Sequence, residues 1–213
     1  MGISFTAHWH GLRCLELVAE ELPSPRLFRK LADFAMRLRD MGLVDGAASS
    51  YRSLAVYWDD IPDSGCEEQV VAAMEQMVDA SSDASKVAQV RVHEVPVRYD
   101  GIDLCRVAQV HAVSVEEVVV RHSSSLYTVA AIGFLPYFGY LWGLDATLVT
   151  PRLEVPRPRV PAGAVGIGGE QTGIYPGVSP GGWNLIGSVE ENVCGEVCRE
   201  LRVGDEVVFK VTG

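Results

Sequence analysis

The sequence predicts an α+β protein in two parts, a small ferredoxin-like split β-α-β unit followed by a tight β-barrel. Two patterns carry this. Across residues 1–88 the hydrophobic period switches from strand-like to helical and back, twice. From Tyr127 to Gly187 glycine and proline dominate, interleaved with Phe134, Tyr137, Phe138, Tyr140, Trp142, Tyr175 and Trp183. Glycine admits backbone angles that a side chain forbids, and proline fixes φ. Large aromatics set among them point to short strands and shaped loops around a site, because a flexible linker would lack them.

In chain order, Gly11–Val18 (G-L-R-C-L-E-L-V) alternates as a strand. Ser24 with Pro25 behind it is an N-cap followed by the favoured first helical residue. Leu27, Leu31, Phe34, Ala35 and Leu38 then recur at helical spacing up to Gly42. Tyr51–Trp58 reads as a strand, and Ser64 with Glu67 as a capping box for a second helix with Val70, Val71, Met74, Met77 and Val78 inward. Ser81–Ser85 is a polar breaker, and Val87–Val97 an edge strand that closes the first unit. The expected boundary is 1–88 against 89–213.

Further on, Asp103 and Ser114 each stand where an N-cap should, before two short helices ending near His111 and His122. Leu126–Phe134 is a strand, and L-R-V-G-D-E-V-V-F-K-V closes the chain as a turn and strand. His122, next to the glycine-rich part, is either a dipole-stabilised helix-end residue or a general acid/base. Gly163–Gly169 is neither a phosphate loop nor a dinucleotide fingerprint, since no Gly-Lys-Ser/Thr follows and Gln171 stands where the last glycine would be. Gln171, Thr172 and Tyr175 offer an amide, a hydroxyl and a phenol for a small polar ligand. Arg152, Arg157 and Arg159 could grip a carboxylate or phosphate, or pair with surface acids.

A formal net charge of −10 repels phosphate backbones, which argues against nucleic acid. No run is long and apolar enough for a bilayer, and the opening M-G-I-S-F-T-A-H-W-H lacks a secretory pattern, so a cytoplasmic chain is expected. Five scattered cysteines suggest reduced, incidental thiols. Cys194 and Cys198, spaced C-x-x-x-C without a second pair, predict no zinc site.

G-F-L-P-x-F-x-Y-L-x-G-L-D (Gly133–Asp145), T-P-R (Thr150–Arg152), P-R-x-x-V-P-A-G-x-V-G-I-x-G-x-Q-T-G-I-Y-P (Pro156–Pro176) and S-P-G-G-W-N-L-I-G (Ser179–Gly187) together closely resemble one family. It is variously called KipI, allophanate hydrolase subunit 1 or the B-type subunit of 5-oxoprolinase. The resemblance implies a cyclophilin-like barrel for residues 89–213 and pairing with a homologous barrel subunit (KipA, the C-type subunit of 5-oxoprolinase). With a third, hydrolase-like subunit, such pairs open 5-oxoproline to glutamate. ATP is used at the level of the complex, with no metal or organic cofactor expected on this chain. By motif position the resemblance implies His122 and Gln171 as catalytic groups. Arg152, Thr172, Tyr175, Phe134 and Pro136 become substrate contacts. Related members imply alternatives: inhibition of a sensor histidine kinase, or a carboxyltransferase-type role. Tyr137, Trp142 and Glu170 depart from the family pattern, and the expected R-T-P after Gly187 is replaced by Ser188, Val189 and the segment E-E-N-V-C-G-E-V-C.

Overall fold

In the computed structural model, residues 3–80 and 90–213 are described. The chain divides into two compact units, Met1–Val90 and Arg91–Gly213.

The first unit is built from β1 (Phe5–Trp9), β2 (Cys14–Ala19), α1 (Pro25–Asp40), β3 (Gly46–Ser49), β4 (Ser53–Tyr57) and α2 (Cys66–Ala80). Its sheet is antiparallel in the order β1-β2-β4-β3. Ser24 caps α1 by accepting from the Leu27 N–H at 3.2 Å, and Gly42, at φ +68°, ends it. Leu27, Leu31, Phe34 and Leu38 bury against Leu15, Leu17, Leu54 and Val56, each worth about 1.5–3 kcal/mol of transfer free energy. Met74 and Met77 of α2 join this core. Glu67 does not complete a box with Ser64; its carboxylate accepts from the Trp9 indole N–H at 2.7 Å.

Two strands escaped the sequence pattern. Both are sheet edges: β1 (F-T-A-H-W) alternates over only five residues, and the small-residue β3 (G-A-A-S) does not alternate. The expected closing strand is a correction: its described part is β5 (Val92–Val97), which pairs with the second unit, and β1 occupies the edge beside β2. Ser81–Ser85, the first residues of that expected strand and the boundary at 88 lie outside the described residues.

The second unit continues with α3 (Leu104–Val110), α4 (Val115–Ser124), β6 (Tyr127–Ile132), β7 (Gly139–Trp142), β8 (Arg157–Val160), β9 (Ala164–Gly168), β10 (Gln171–Ile174), β11 (Ser179–Gly181), β12 (Asn184–Ser188), α5 (Glu191–Glu200) and β13 (Glu206–Val211). Seven strands run in the order β12-β9-β10-β7-β6-β13-β5, with β13 and β5 parallel and the other pairs antiparallel. Just past β5, Arg98 exchanges two backbone hydrogen bonds of 2.9 and 2.8 Å with Ser188 of β12. The result is a nearly closed β-barrel.

Inward positions recur every second residue, with Val95, Val97, Val129, Leu141, Val165, Ile167, Ile174, Ile186, Val207 and Phe209 in one apolar cluster. α3 and α4 add Leu104, Val107 and Val118. Ser114 caps α4 through the Glu117 N–H as expected. Asp103 does not cap α3; its carboxylate is taken by other groups. The segment from Glu191 is a helix with Cys194 and Cys198 buried, not a loop. No helix among the described residues is long and apolar enough to cross a membrane.

Candidate functional site

Strand β10 divides the expected site residues, because successive side chains on a strand point to opposite faces. Thr172 and Ile174 turn into the barrel, with Thr172 fully buried and Ile174 part of its core. Gln171 and Gly173 turn outward.

On the inner side His122 is completely buried. Its Nε2 lies 2.9 Å from Thr172 Oγ1 and its Nδ1 2.8 Å from the Tyr99 hydroxyl. Thr172 donates its one hydrogen to the Gly166 carbonyl at 2.9 Å, so Nε2 donates to Thr172 and Nδ1 accepts from Tyr99. Phe209 stacks on the ring at 4.8 Å, and the Tyr127 hydroxyl donates to the His122 carbonyl. Burial pushes the imidazole pKa down to about 3, so the ring is neutral. Both nitrogens are occupied by the barrel itself. This is a core histidine at the middle of a hydrogen-bond chain, and the structure does not bring it together with Gln171, Arg152 or Tyr175. Thr172, expected to touch substrate, is likewise enclosed.

The outer side is organised by a floor of glycines. A Cβ on Gly168 would lie 2.4 Å from Trp183 Cδ1, one on Gly173 2.8 Å from the Gly139 carbonyl and 3.3 Å from the Trp183 ring, and one on Gly166 3.2 Å from Trp183 Cβ. The indole therefore rests directly on backbone. Phe138, Tyr140 and Tyr175 meet it edge-on with centroids 5.4, 5.9 and 6.3 Å away. Tyr175 is buried, raised in pKa chiefly by that burial, and sits against Gly181; it forms wall, not an open contact. Tyr140 is half-buried, its phenol pushed up by desolvation and opposed by the Arg152 charge. The exposed guanidinium of Arg152 lies 5.9 Å above the Trp183 ring. Half-buried Gln171 shares this face, paired in register with Gly168, and its Oε1 is buried without a hydrogen-bond partner among the described residues.

Residues outside the expected site set hold this arrangement. Asn184, fully buried, donates to the Pro151 carbonyl at 2.9 Å and the Ile167 carbonyl at 3.1 Å, and accepts from Arg106. It thereby fixes the T-P-R segment that carries Arg152. Asp103 accepts from the Leu185 N–H at 2.7 Å and from Arg157 at 2.6 Å, while Arg157 also reaches the Trp183 carbonyl. Arg157 is thus committed to an internal pair. Asn184 was visible only as the Asn of the W-N step in a long motif, and Asp103 only as a candidate helix cap.

Phe134 and Pro136 fall in a turn held by two non-glycine residues at positive φ, Phe134 (71°) and Tyr137 (69°). Phe134 is exposed and touches the aromatic group only through an edge contact with Phe138 at 5.6 Å. Pro136 instead lines a separate cavity of about 160 Å³ with Tyr137, Pro176, Val178 and Cys198. The structure does not bring these two residues to the Gln171–Arg152 face. Among the described residues no three His, Cys, Asp or Glu side chains gather as metal ligands.

The chain as a whole matches known proteins in sequence and in fold. Residues 5–194 match the model of the carboxyltransferase domain, subdomain C and D, and the chain belongs to that family. Among curated proteins it is 48% identical over 126 residues to the B-type subunit of 5-oxoprolinase from Haemophilus influenzae, a match covering 56% of this chain and 59% of that protein. The match thus takes in less than two thirds of that relative's length. The crystal structure of TTHA0988 is 35% identical with a TM-score of 0.74, over 94% of this chain and 40% of that one. Urea carboxylase of Kluyveromyces lactis superposes with a TM-score of 0.73 over 98% of this chain and 22% of its own, at 15% identity, a likeness of fold.

Proposed function

We propose that this chain is the B-type subunit of a cytoplasmic, ATP-dependent complex that opens 5-oxoproline to glutamate, working beside a homologous barrel subunit and a third, hydrolase-like subunit. The observation that carries the proposal is the orphaned Gln171 Oε1 on the same face as Arg152 and Trp183. A buried acceptor without a donor costs free energy that a ligand N–H would recover. 5-Oxoproline has a ring N–H, a carboxylate and a flat ring with one apolar edge. With its amide swung towards the open face, Gln171 accepts from the lactam N–H, Arg152 takes the carboxylate in bidentate fashion, and Trp183 offers its face to the ring.

Lactam opening runs uphill unless the amide oxygen is first phosphorylated, and ATP supplies that phosphoryl group in the assembled complex. This chain's share is to bind, orient and desolvate. Arg152 and Tyr140 stand at the edge of the aromatic group, where a partner barrel closing over the open face would exclude water. His122 serves the fold rather than the reaction, its bond to Thr172 closing the barrel interior behind that face. The same reading takes the barrel as cyclophilin-like, and the first unit as a ferredoxin-like split β-α-β in which β1 stands where the closing strand would be.

The test is 5-oxoproline-dependent ATP hydrolysis by the chain co-expressed with its partner subunits. Arg152→Ala should raise KM for 5-oxoproline, with loss of one charge-assisted contact of about 1.5–3 kcal/mol, or roughly 10- to 150-fold. An unchanged KM would remove Arg152, and the ligand pose built on it, from the account.

A further inference from the structure

Two polar groups on the outer face are left unengaged by the fold. Arg152 makes no hydrogen bond or ion pair with any described residue, and its guanidinium rests over the Trp183 ring. On a chain of net charge −10 acids are plentiful, and the nearby Arg157 does take one, Asp103 at 2.6 Å. The second group is the hydroxyl of Tyr140. Strand alternation along β7 sends Leu141 into the barrel core and Tyr140 to the outer face. Its ring meets Phe138 edge-on at 5.0 Å and Trp183 at 5.9 Å, which holds the phenol beside the indole. The hydroxyl has no hydrogen-bond partner among the described residues.

Tyr175, the other phenol in the field of Arg152, is buried and engaged by the Trp183 backbone N–H. Tyr140 is half-buried, and desolvation raises its pKa against the opposing Arg152 charge. At neutral pH it keeps its proton and can donate, next to a guanidinium that can only donate. A carboxylate offers two oxygens with about four lone-pair sites. The guanidinium fork takes two of these and leaves room for a third donor. A carboxamide instead has one acceptor oxygen and turns its own N–H groups toward donors, leaving polar groups unpaired in a partly desolvated site.

We propose, resting on the lactam reading above, that Tyr140 is a specificity-determining residue whose hydroxyl donates to the carboxylate held by Arg152. The site then takes the free cyclic acid and rejects its amide, including a 5-oxoprolyl residue at the end of a peptide.

The test uses the assembled complex, with 5-oxoproline as substrate and 5-oxoprolinamide as competitor. Tyr140→Phe removes one oxygen and keeps the ring, so the thermal midpoint should hold. KM for 5-oxoproline should rise about 10-fold, the worth of one hydrogen bond to a charged group, with kcat within about twofold. The inhibition constant of the amide should also stay within about twofold, so the preference for acid over amide falls about 10-fold. An unchanged KM in Tyr140→Phe beside a raised KM in Arg152→Ala would overturn the assignment and leave the lactam reading standing. KM and the amide's inhibition constant rising together would overturn it too, since the hydroxyl would then shape the pocket rather than read charge. A wild-type complex whose ATP hydrolysis ignores 5-oxoproline would overturn both.

Discussion

The two faces of β10 carry adjacent residues put to opposite uses. Inward, Thr172 belongs to a chain running from half-buried Tyr99 through His122 to the Gly166 carbonyl, where each hydrogen bond has its partner. Outward, Gln171 ends in a buried oxygen that no described residue satisfies, beside an arginine laid over an indole. A network with all its bonds made rigidifies a fold, whereas an unmet acceptor next to an exposed cation is what a binding face offers before its ligand arrives. Residue type alone would favour the histidine as the chemical group. Burial and pairing favour the glutamine.

Changes on the inner side should register as stability. The largest effect belongs to His122→Ala, which opens a cavity and strands both Tyr99 and Thr172, for a loss of about 3–5 kcal/mol in chemical denaturation. A loss under about 1 kcal/mol would show that the inner chain is dispensable.

The same histidine sets a pH dependence. Its folded pKa of about 3 lies below the unfolded value of about 6.5, so between these the unfolded state binds more protons and stability rises with pH. Acidification from pH 6.5 towards 3 should therefore remove about 1.4 kcal/mol per unit once well below the upper value. A His122→Phe variant should flatten that slope; an unaltered slope would assign it to other groups.

Gly168→Ala probes the outer side. Its methyl would meet the Trp183 ring at 2.4 Å, and the overpacking should cost about 1–3 kcal/mol. It should also alter near-ultraviolet circular dichroism as the indole is displaced. Arg152→Ala, at an exposed position, should move stability by no more than about 0.5 kcal/mol. A larger drop would mean that the cation over Trp183 serves the fold rather than a ligand.

The helices were legible where caps and period agreed, as at Ser24 with Leu27, Leu31 and Phe34. β3 was not, because G-A-A-S has neither branched residues nor alternation and gains its strand geometry by pairing with β4. Helix α5 was hidden by Gly195 and by the departure from the family motif, although Val193, Cys194, Val197 and Cys198 do follow a helical spacing. At the site, Gln171 and Arg152 were visible in their motifs. The separation of Gln171 from Thr172 follows from strand alternation, but only once that segment is known to lie on the barrel wall. The anchoring by Asn184 and Asp103 depends on residues 33 and 82 positions away in the chain, which local pattern does not reveal.

The most direct test sets the neighbours Gln171 and Thr172 against each other in the assembled complex, measuring 5-oxoproline-dependent ATP hydrolysis alongside the thermal midpoint. Gln171→Ala should lower turnover efficiency by about 10-fold or more, the worth of one or two hydrogen bonds to the reacting molecule, with an unchanged midpoint. Thr172→Val should lower the midpoint and leave efficiency intact while the protein is folded. The opposite pattern, with efficiency lost in Thr172→Val and kept in Gln171→Ala, would place the working face inside the barrel and contradict the account.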